Sequence, residues 1–217
     1  MAQNHTVSQG EHVSGIAGSY GLSDYKTIWY HPNNADLKNQ RENPNVLFPG
    51  DSLFIPDREP NEYSRPTDRR HRFVRKRPTL KLRLTLLDQY EKPIANAGCL
   101  LVVEADSRQV TSDADGKIEE EIPLSTRKCV LTIQDALQTP YSGVSIPIKI
   151  GHLDPVEEVS GQQGRLKNLG YFGGEIDGKS GPDFQSAVEE FQCEHGLTVD
   201  GMCGKMTRAK LKQVHGC

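Results

Sequence analysis

The stretch IDGKSGPDFQSAVEEFQCEHGLTVDGMCGKMT, residues 176–207, states one small unit twice. Asp177-Gly178-x-x-Gly181 opens one amphipathic run, and Asp200-Gly201-x-x-Gly204 opens another 23 residues later. In each copy the Asp-Gly turn supplies a residue free to take positive φ, and the following glycine allows a tight entry into a helix. Phe184, Ala187, Val188 and Phe191 lie at helical spacing and end near Gly196, while Val159, Leu166 and Leu169 form an earlier stripe ended by Gly170. A last stripe from about Lys205 offers Met206, Leu211 and Val214. Helices this short cannot each bury a stripe alone. The spacing therefore predicts a three-helix bundle over residues 153–217, packed around Leu166, Leu169, Phe184, Val188, Phe191 and Leu211.

The residues Gln163, Leu166, Gly170-Tyr171, Asp177-Gly178, Gly181, Ala187-Val188, Phe191-Gln192, Gly196-Leu197, Asp200-Gly201, Gly204 and Thr207 run in the order of a known pattern. The segment resembles the three-helix peptidoglycan-binding domain found beside cell-wall hydrolases. Gln162 stands at a usually apolar position of that pattern, and Phe184 at a usual helix-start Thr. The resemblance implies a glycan-facing surface with Tyr171, Asp177 and Asp200 as its natural candidates. Both Asp residues serve equally well as turn formers that cap the next helix.

From Pro78 to about Ile150 the period drops to two. LKLRLTLLD, KIEEEIP and KCVLTI alternate, CLLVVEA is a buried run, and YEKPIANAG and DADG separate them. The expectation for residues 78–152 is a small antiparallel β-sandwich, and the arrangement resembles the transthyretin-like or carboxypeptidase-regulatory-like fold. Asp113 and Asp115 raise a calcium reading, but the remaining ligands of an EF-hand loop are missing at the required offsets, so a hairpin turn is the better account.

Residues 1–57 read as strand, helix, helix, strand. Val13, Ile16, Ala17 and Tyr20 share a helical face before Gly21, a second helix is expected from about Ser23 through Trp29, and Leu53 and Ile55 share a strand face. Thr6-Val7, Gly10, Ile16-Ala17, Tyr20-Gly21, Asn43-Pro44-Asn45, Leu47, Pro49-Gly50, Leu53 and Ile55-Pro56 resemble both halves of a βααβ LysM module, in order. Glu11-His12-Val13 replaces the family's acidic-Thr-Leu turn and loses a capping hydroxyl, and WYHPNNADLKNQRE is longer than usual. The resemblance implies a groove for N-acetylglucosamine-containing glycan, with Gly10, Glu11, His12 and Val13 on one side and Asn45, Val46 and Leu47 opposite. Gly10 and Asn45 also suit plain turn formation. Trp29 reads as core.

Residues 58–77 turn polar, Pro-containing and basic: either a linker with a charged edge strand or a phosphate-binding patch. A net charge of −3 and the absence of a second basic cluster argue against nucleic acid, and no apolar run is long enough for membrane insertion. The start MAQNHTVSQGEHVSG lacks a basic region followed by an apolar one, so cytoplasmic synthesis without a signal peptide is expected. Five scattered cysteines read as reduced thiols, with a Cys193–Cys203 disulfide as the alternative in an oxidising compartment.

No HExxH or HxxxD set joins the seven histidines. Cys193, His195, Cys203, His215 and Cys217 fit no standard zinc spacing, and Cys99 and Cys129 sit in strand-like apolar runs. The sequence thus predicts an α+β multidomain protein that is not an enzyme, needs no cofactor and binds peptidoglycan. The order of its segments resembles bacterial LysM proteins encoded beside type VI secretion or phage-tail-like genes. That resemblance implies delivery to the periplasm or wall by a secretion machine. Two alternatives stay open: a structural adaptor holding a secretion spike or effector protein, and a cell-wall hydrolase whose carboxylates are distant in the chain.

Overall fold

A computed structural model describes residues 2–58, 64–72, 78–134 and 140–216. The fold is α+β, with three antiparallel sheets and helices concentrated at the two ends of the chain.

In the first unit, strand β1 (Gln3–Thr6) pairs antiparallel with β2 (Ser52–Ile55), Gln3 facing Ile55 and Thr6 facing Ser52. Helices α1 (Val13–Ser19), α2 (Lys26–Trp29) and α3 (Ala35–Arg41) lie between them. Val13, Ile16, Ala17, Ile28, Trp29, Leu47 and Leu53 make the core, so the single tryptophan is indeed interior. The second helix is shorter than its pattern implied, and the long WYHPNNADLKNQRE stretch supplies a 3-10 turn at Pro32–Asn34 and then α3. Two local devices explain this. The His31 Nδ1 accepts from the Asn33 N–H at 3.2 Å ahead of a proline-led turn. The buried Asn34 amide donates to the carbonyls of Ile28 and Phe54, both at 2.8 Å, and accepts from Phe54 N–H, which pins the insertion to β2. The lost capping hydroxyl is also replaced. His12 is the N-cap of α1, and its Nδ1 accepts from Gly15 N–H at 3.0 Å.

The middle unit contains β3 (Thr79–Thr85), β4 (Gly98–Val103), β5 (Asp106–Thr111), β6 (Lys117–Pro123), β7 (Lys128–Ile133) and β8 (Ser145–Lys149). β3 pairs with β6, and a second sheet runs β5-β4-β7-β8. Leu82, Ile118 and Ile122 from one sheet share a core with Cys99, Leu101, Val103, Leu131 and Ile133 from the other. The alternating patterns of β3, β6 and β7 follow from this one-sided burial. β5 and β8 are edge strands; β5 buries only Val110, while β8 packs Ile146 and Ile148 against the core and carries Pro147, tolerated where no further strand needs its N–H. The Asp113 carboxylate accepts from the backbone N–H groups of Asp115 (2.9 Å) and Lys117 (2.8 Å), and Gly116 takes φ +73°, which is the hairpin reading.

Of the basic 58–77 stretch, residues 59–63 and 73–77 lie outside the described residues, and those described on either side form no strand. In the last unit, α4 (Val159–Asn168), α5 (Pro182–Glu194) and α6 (Lys205–His215) enclose Leu166, Phe184, Val188, Phe191 and Leu211. Val156 and Phe172, from the flanking loops, complete that core. Met206 does not: it is the second residue of α6 after the N-cap Gly204 and is 72% exposed. The three units touch. Arg127 donates to the Gly10 carbonyl at 2.9 Å, Lys212 meets Glu42 at 3.3 Å, and the Tyr171 hydroxyl meets Glu91 at 2.7 Å.

Candidate glycan-binding site

The duplicated turns are built alike. Asp177 Oδ1 accepts from its own turn (Lys179 N–H, 3.0 Å) and from the side-chain amide of Gln163 at 2.8 Å, while Gln163 Oε1 takes the Gly178 N–H at 2.8 Å. In the second copy Asp200 Oδ1 accepts from Met202 N–H (2.9 Å) and Gln192 (2.8 Å), and Gln192 Oε1 takes the N–H groups of Asp200 (3.0 Å) and Gly201 (3.1 Å). Each glutamine is buried inside a helix and reads a whole turn with one planar amide, donor to carboxylate and acceptor to backbone. Gly178 and Gly201 take φ +72° and +67°, which lets their N–H groups turn inward. Hydrogen bonding holds both Asp carboxyls below their ordinary range, chiefly Gln163 for Asp177 and the Met202 N–H for Asp200. The sequence placed both Asp residues on a candidate surface. The glutamines that orient them carry no role in that reading, because Gln163 and Gln192 stand 14 and 8 residues before the Asp they clasp.

Tyr171 is half-buried at the junction with the middle unit. Its hydroxyl lies against Glu91, against Glu194 and 3.5 Å from His195 Nε2. Burial and the two carboxylates raise its pKa above the ordinary phenol value, so it stays a neutral donor. Beside the turns, Ile176, Val199 and Met202 are exposed apolar side chains.

The first unit brings residues 10–13 and 43–47 together, Val13 N–H donating to the Pro44 carbonyl at 3.1 Å. Glu11 accepts from Ser8 N–H (2.8 Å) and contacts His5 Nε2 (2.9 Å), and its carboxyl is lowered by these bonds against the opposing effect of burial. His12 is buried, and burial with the nearby Arg127 charge lowers its pKa, consistent with an Nδ1 that accepts. Of the seven positions expected to frame a groove, Gly10, His12, Val13, Val46 and Leu47 are buried, Glu11 is intermediate and Asn45 is exposed. The Gly10 side is covered by the middle unit: a Cβ on Gly10 would stand 3.0 Å from the His152 ring, and one on Gly151 would stand 2.6 Å from the Gly10 carbonyl. Long-range packing thus places Arg127, Gly151 and His152 against the Gly10 edge of the expected groove.

Cys193 and Cys203 are not joined by a disulfide; Cys217 lies outside the described residues. Burial pushes the Cys203 thiol up to about 11. Among the described residues no three His, Cys, Asp or Glu side chains gather as a metal set, and no helix is long and apolar enough to cross a membrane.

Comparison with known proteins assigns the last unit. Residues 156–211 match the family described as "Putative peptidoglycan binding domain". The Spore cortex-lytic enzyme of Oceanobacillus iheyensis is 42% identical over 57 residues, which are 26% of this chain and 21% of that protein. The N-acetylmuramoyl-L-alanine amidase CwlM of Mycobacterium tuberculosis is 38% identical over 55 residues, 25% of this chain and 14% of that protein. No solved structure matches. The matched segment spans about a fifth or less of these relatives, so the comparison concerns the domain rather than the whole chain. The expectation of a protein that is not an enzyme is corrected here, since one relative is a cortex-lytic enzyme and the other an amidase by name, both matched over the binding domain alone. What stands is that the chain carries, over residues 156–211, a peptidoglycan-binding domain.

Proposed function

We propose that this protein targets peptidoglycan as part of a cell-wall-lytic process, its 156–211 domain holding the chain on the wall. The observation that carries the reading is the family match, supported by two complete Gln-clasped Asp-Gly turns at its exposed edge. Residues 1–57, with their LysM-like order of motifs, add a second contact to N-acetylated glycan in this reading. The chain reaches the periplasm or wall through a specialised secretion machine. Hydrolysis resides either in this chain or in the enzyme it accompanies, and the names of the two relatives motivate that link.

The test is co-sedimentation of the full chain with purified sacculi, followed by assay of the supernatant for soluble muropeptides. Retention is expected. Muropeptide release by the purified chain assigns hydrolysis to it, and release only after a hydrolase is added assigns it to a partner. Absence of retention sinks the wall-targeting reading.

A second reading is favoured by the covering of Gly10 by Arg127 and His152. In it the first unit is a structural adaptor whose wall-type fold holds a secretion spike or effector protein. A stable complex with such a protein, formed by a chain that sacculi do not retain, would support it.

A further inference from the structure

A cleft of about 580 Å³ lies between the first unit and the C-terminal helices. That volume falls in the range of roughly 300–1,000 Å³ typical of small-molecule sites. One wall is the 41–46 segment and the other is formed by residues 155–157 and the end of α6. Its lining includes neither Gly10 nor the Arg127 and His152 side chains that cover it.

Its walls are held firmly. Arg41 is nearly buried and gives Nε and one Nη to the two oxygens of Asp51, at 2.9 and 2.8 Å. Across the cleft, the buried Arg165 donates to the carbonyls of Asp154 and Gly161, both at 2.8 Å, and the Gln162 amide donates to the Val156 carbonyl at 2.9 Å. These two arginines therefore brace backbone and loop. The mouth is different. Lys212 lies 3.3 Å from Glu42 and 3.8 Å from Glu157, with all three side chains more than a third exposed. Exposed pairs of this kind contribute little and exchange readily for a ligand's polar groups.

The chemistry of the lining is mixed in a particular way. Pro44, Val46, Pro155 and Val156 offer apolar surface, while Asn43 and Gln213 offer amides. Lys212 faces both Glu42 and Glu157, Arg41 is gripped by Asp51, and Arg165 is held by backbone carbonyls, so each cation of the cleft already has acceptors. A balanced site of this composition does not select an anion. It suits a neutral ring with one apolar face, several hydroxyls and an amide, and an N-acetylated amino sugar has all three.

We infer that the cleft between the 41–46 segment and the C-terminal helices is a composite binding site for an N-acetylated sugar unit of a glycan strand. The inference rests on the peptidoglycan reading for its ligand class, but assigns a location that neither wall-type unit provides alone. Occupancy bridges the two units, so the sugar acts as a clamp across their junction.

The experiment uses the full chain and a soluble N-acetylglucosamine tetramer, read by isothermal titration and hydrogen exchange. Binding is expected with slowed exchange in residues 42–46 and 155–158. Gln213→Trp, an exposed position at the mouth, is expected to weaken binding at least tenfold with unchanged melting, and Lys212→Ala to weaken it several-fold. Tetramer binding that leaves both segments unprotected, or that Gln213→Trp does not weaken, overturns the composite site. If sacculi still retain the chain in that case, the wall-targeting reading survives. Tetramer binding in the cleft without retention on sacculi supports the site and overturns the wall-targeting reading instead.

Discussion

Replacing Gln192 by alanine tests the clasp that organises the second Asp-Gly turn. The substitution removes an acceptor for Asp200 and Gly201 N–H and a donor that reaches Asp200 Oδ1 (2.8 Å), the Met202 carbonyl (3.0 Å) and Thr207 Oγ1 (3.0 Å). Gly201 N–H and Thr207 are buried, so water does not replace every lost partner. A typical bond contributes about 1 kcal/mol net and a stranded buried group costs about 1–3 kcal/mol, so Gln192→Ala should destabilise the unit by about 3–5 kcal/mol. Gln192→Glu is the sharper probe. It keeps the shape but aims a carboxylate oxygen at Asp200 and at the Met202 carbonyl, so it should be worse than alanine at pH 7 and recover as the new carboxyl protonates. Trp29, the only tryptophan, sits in the first unit, so its fluorescence should not respond. Hydrogen exchange over residues 197–204 is the appropriate measurement, with acceleration of about a hundredfold or more expected. An acceleration below about fivefold for Gln192→Ala, or a Gln192→Glu protein more protected than the alanine variant at pH 7, would refute the clasp as the organising interaction.

Gly161→Ala should destabilise the chain despite alanine's helix preference of up to about 1 kcal/mol, since the new Cβ would stand 2.6 Å from the Asp154 carbonyl oxygen and closer still to that of Pro155. A raised melting temperature for the last unit would contradict the close approach. Burial, helped by the Arg165 charge, pushes His215 down to about 4 from an ordinary 6.5. Its contribution is complete above pH 6.5 and is lost as pH falls toward 4, by about 3 kcal/mol in all; His215→Gln should flatten that slope in melts taken between pH 7 and 4. Arg127→Ala removes the donor to the Gly10 carbonyl, so exchange in residues 8–13 should accelerate by about tenfold, the equivalent of roughly 1.4 kcal/mol. Unchanged protection there would show that Arg127 does not hold the loop.

Much of the molecule was legible from local rules. The Asp-Gly turns, the helix ends at Gly21, Gly170 and Gly196, and the alternation in β3, β6 and β7 all follow from backbone sterics and from the period at which a half-buried element must place its apolar residues. Such information lies within a few residues of where it acts. The peptidoglycan-binding segment was readable for the same reason, its motifs being short and in fixed order. Elements whose stability comes from elsewhere were not: the edge strands β5 and β8 borrow their partners, and α3 depends on Asn34 reaching across to Phe54. The role of Gln163 and Gln192 also needed a turn 14 and 8 residues away to come within reach. Only the tertiary structure could cover Gly10 with Arg127 and His152, or leave a cleft between segments more than a hundred residues apart, because those features arise from packing between units rather than within any one of them.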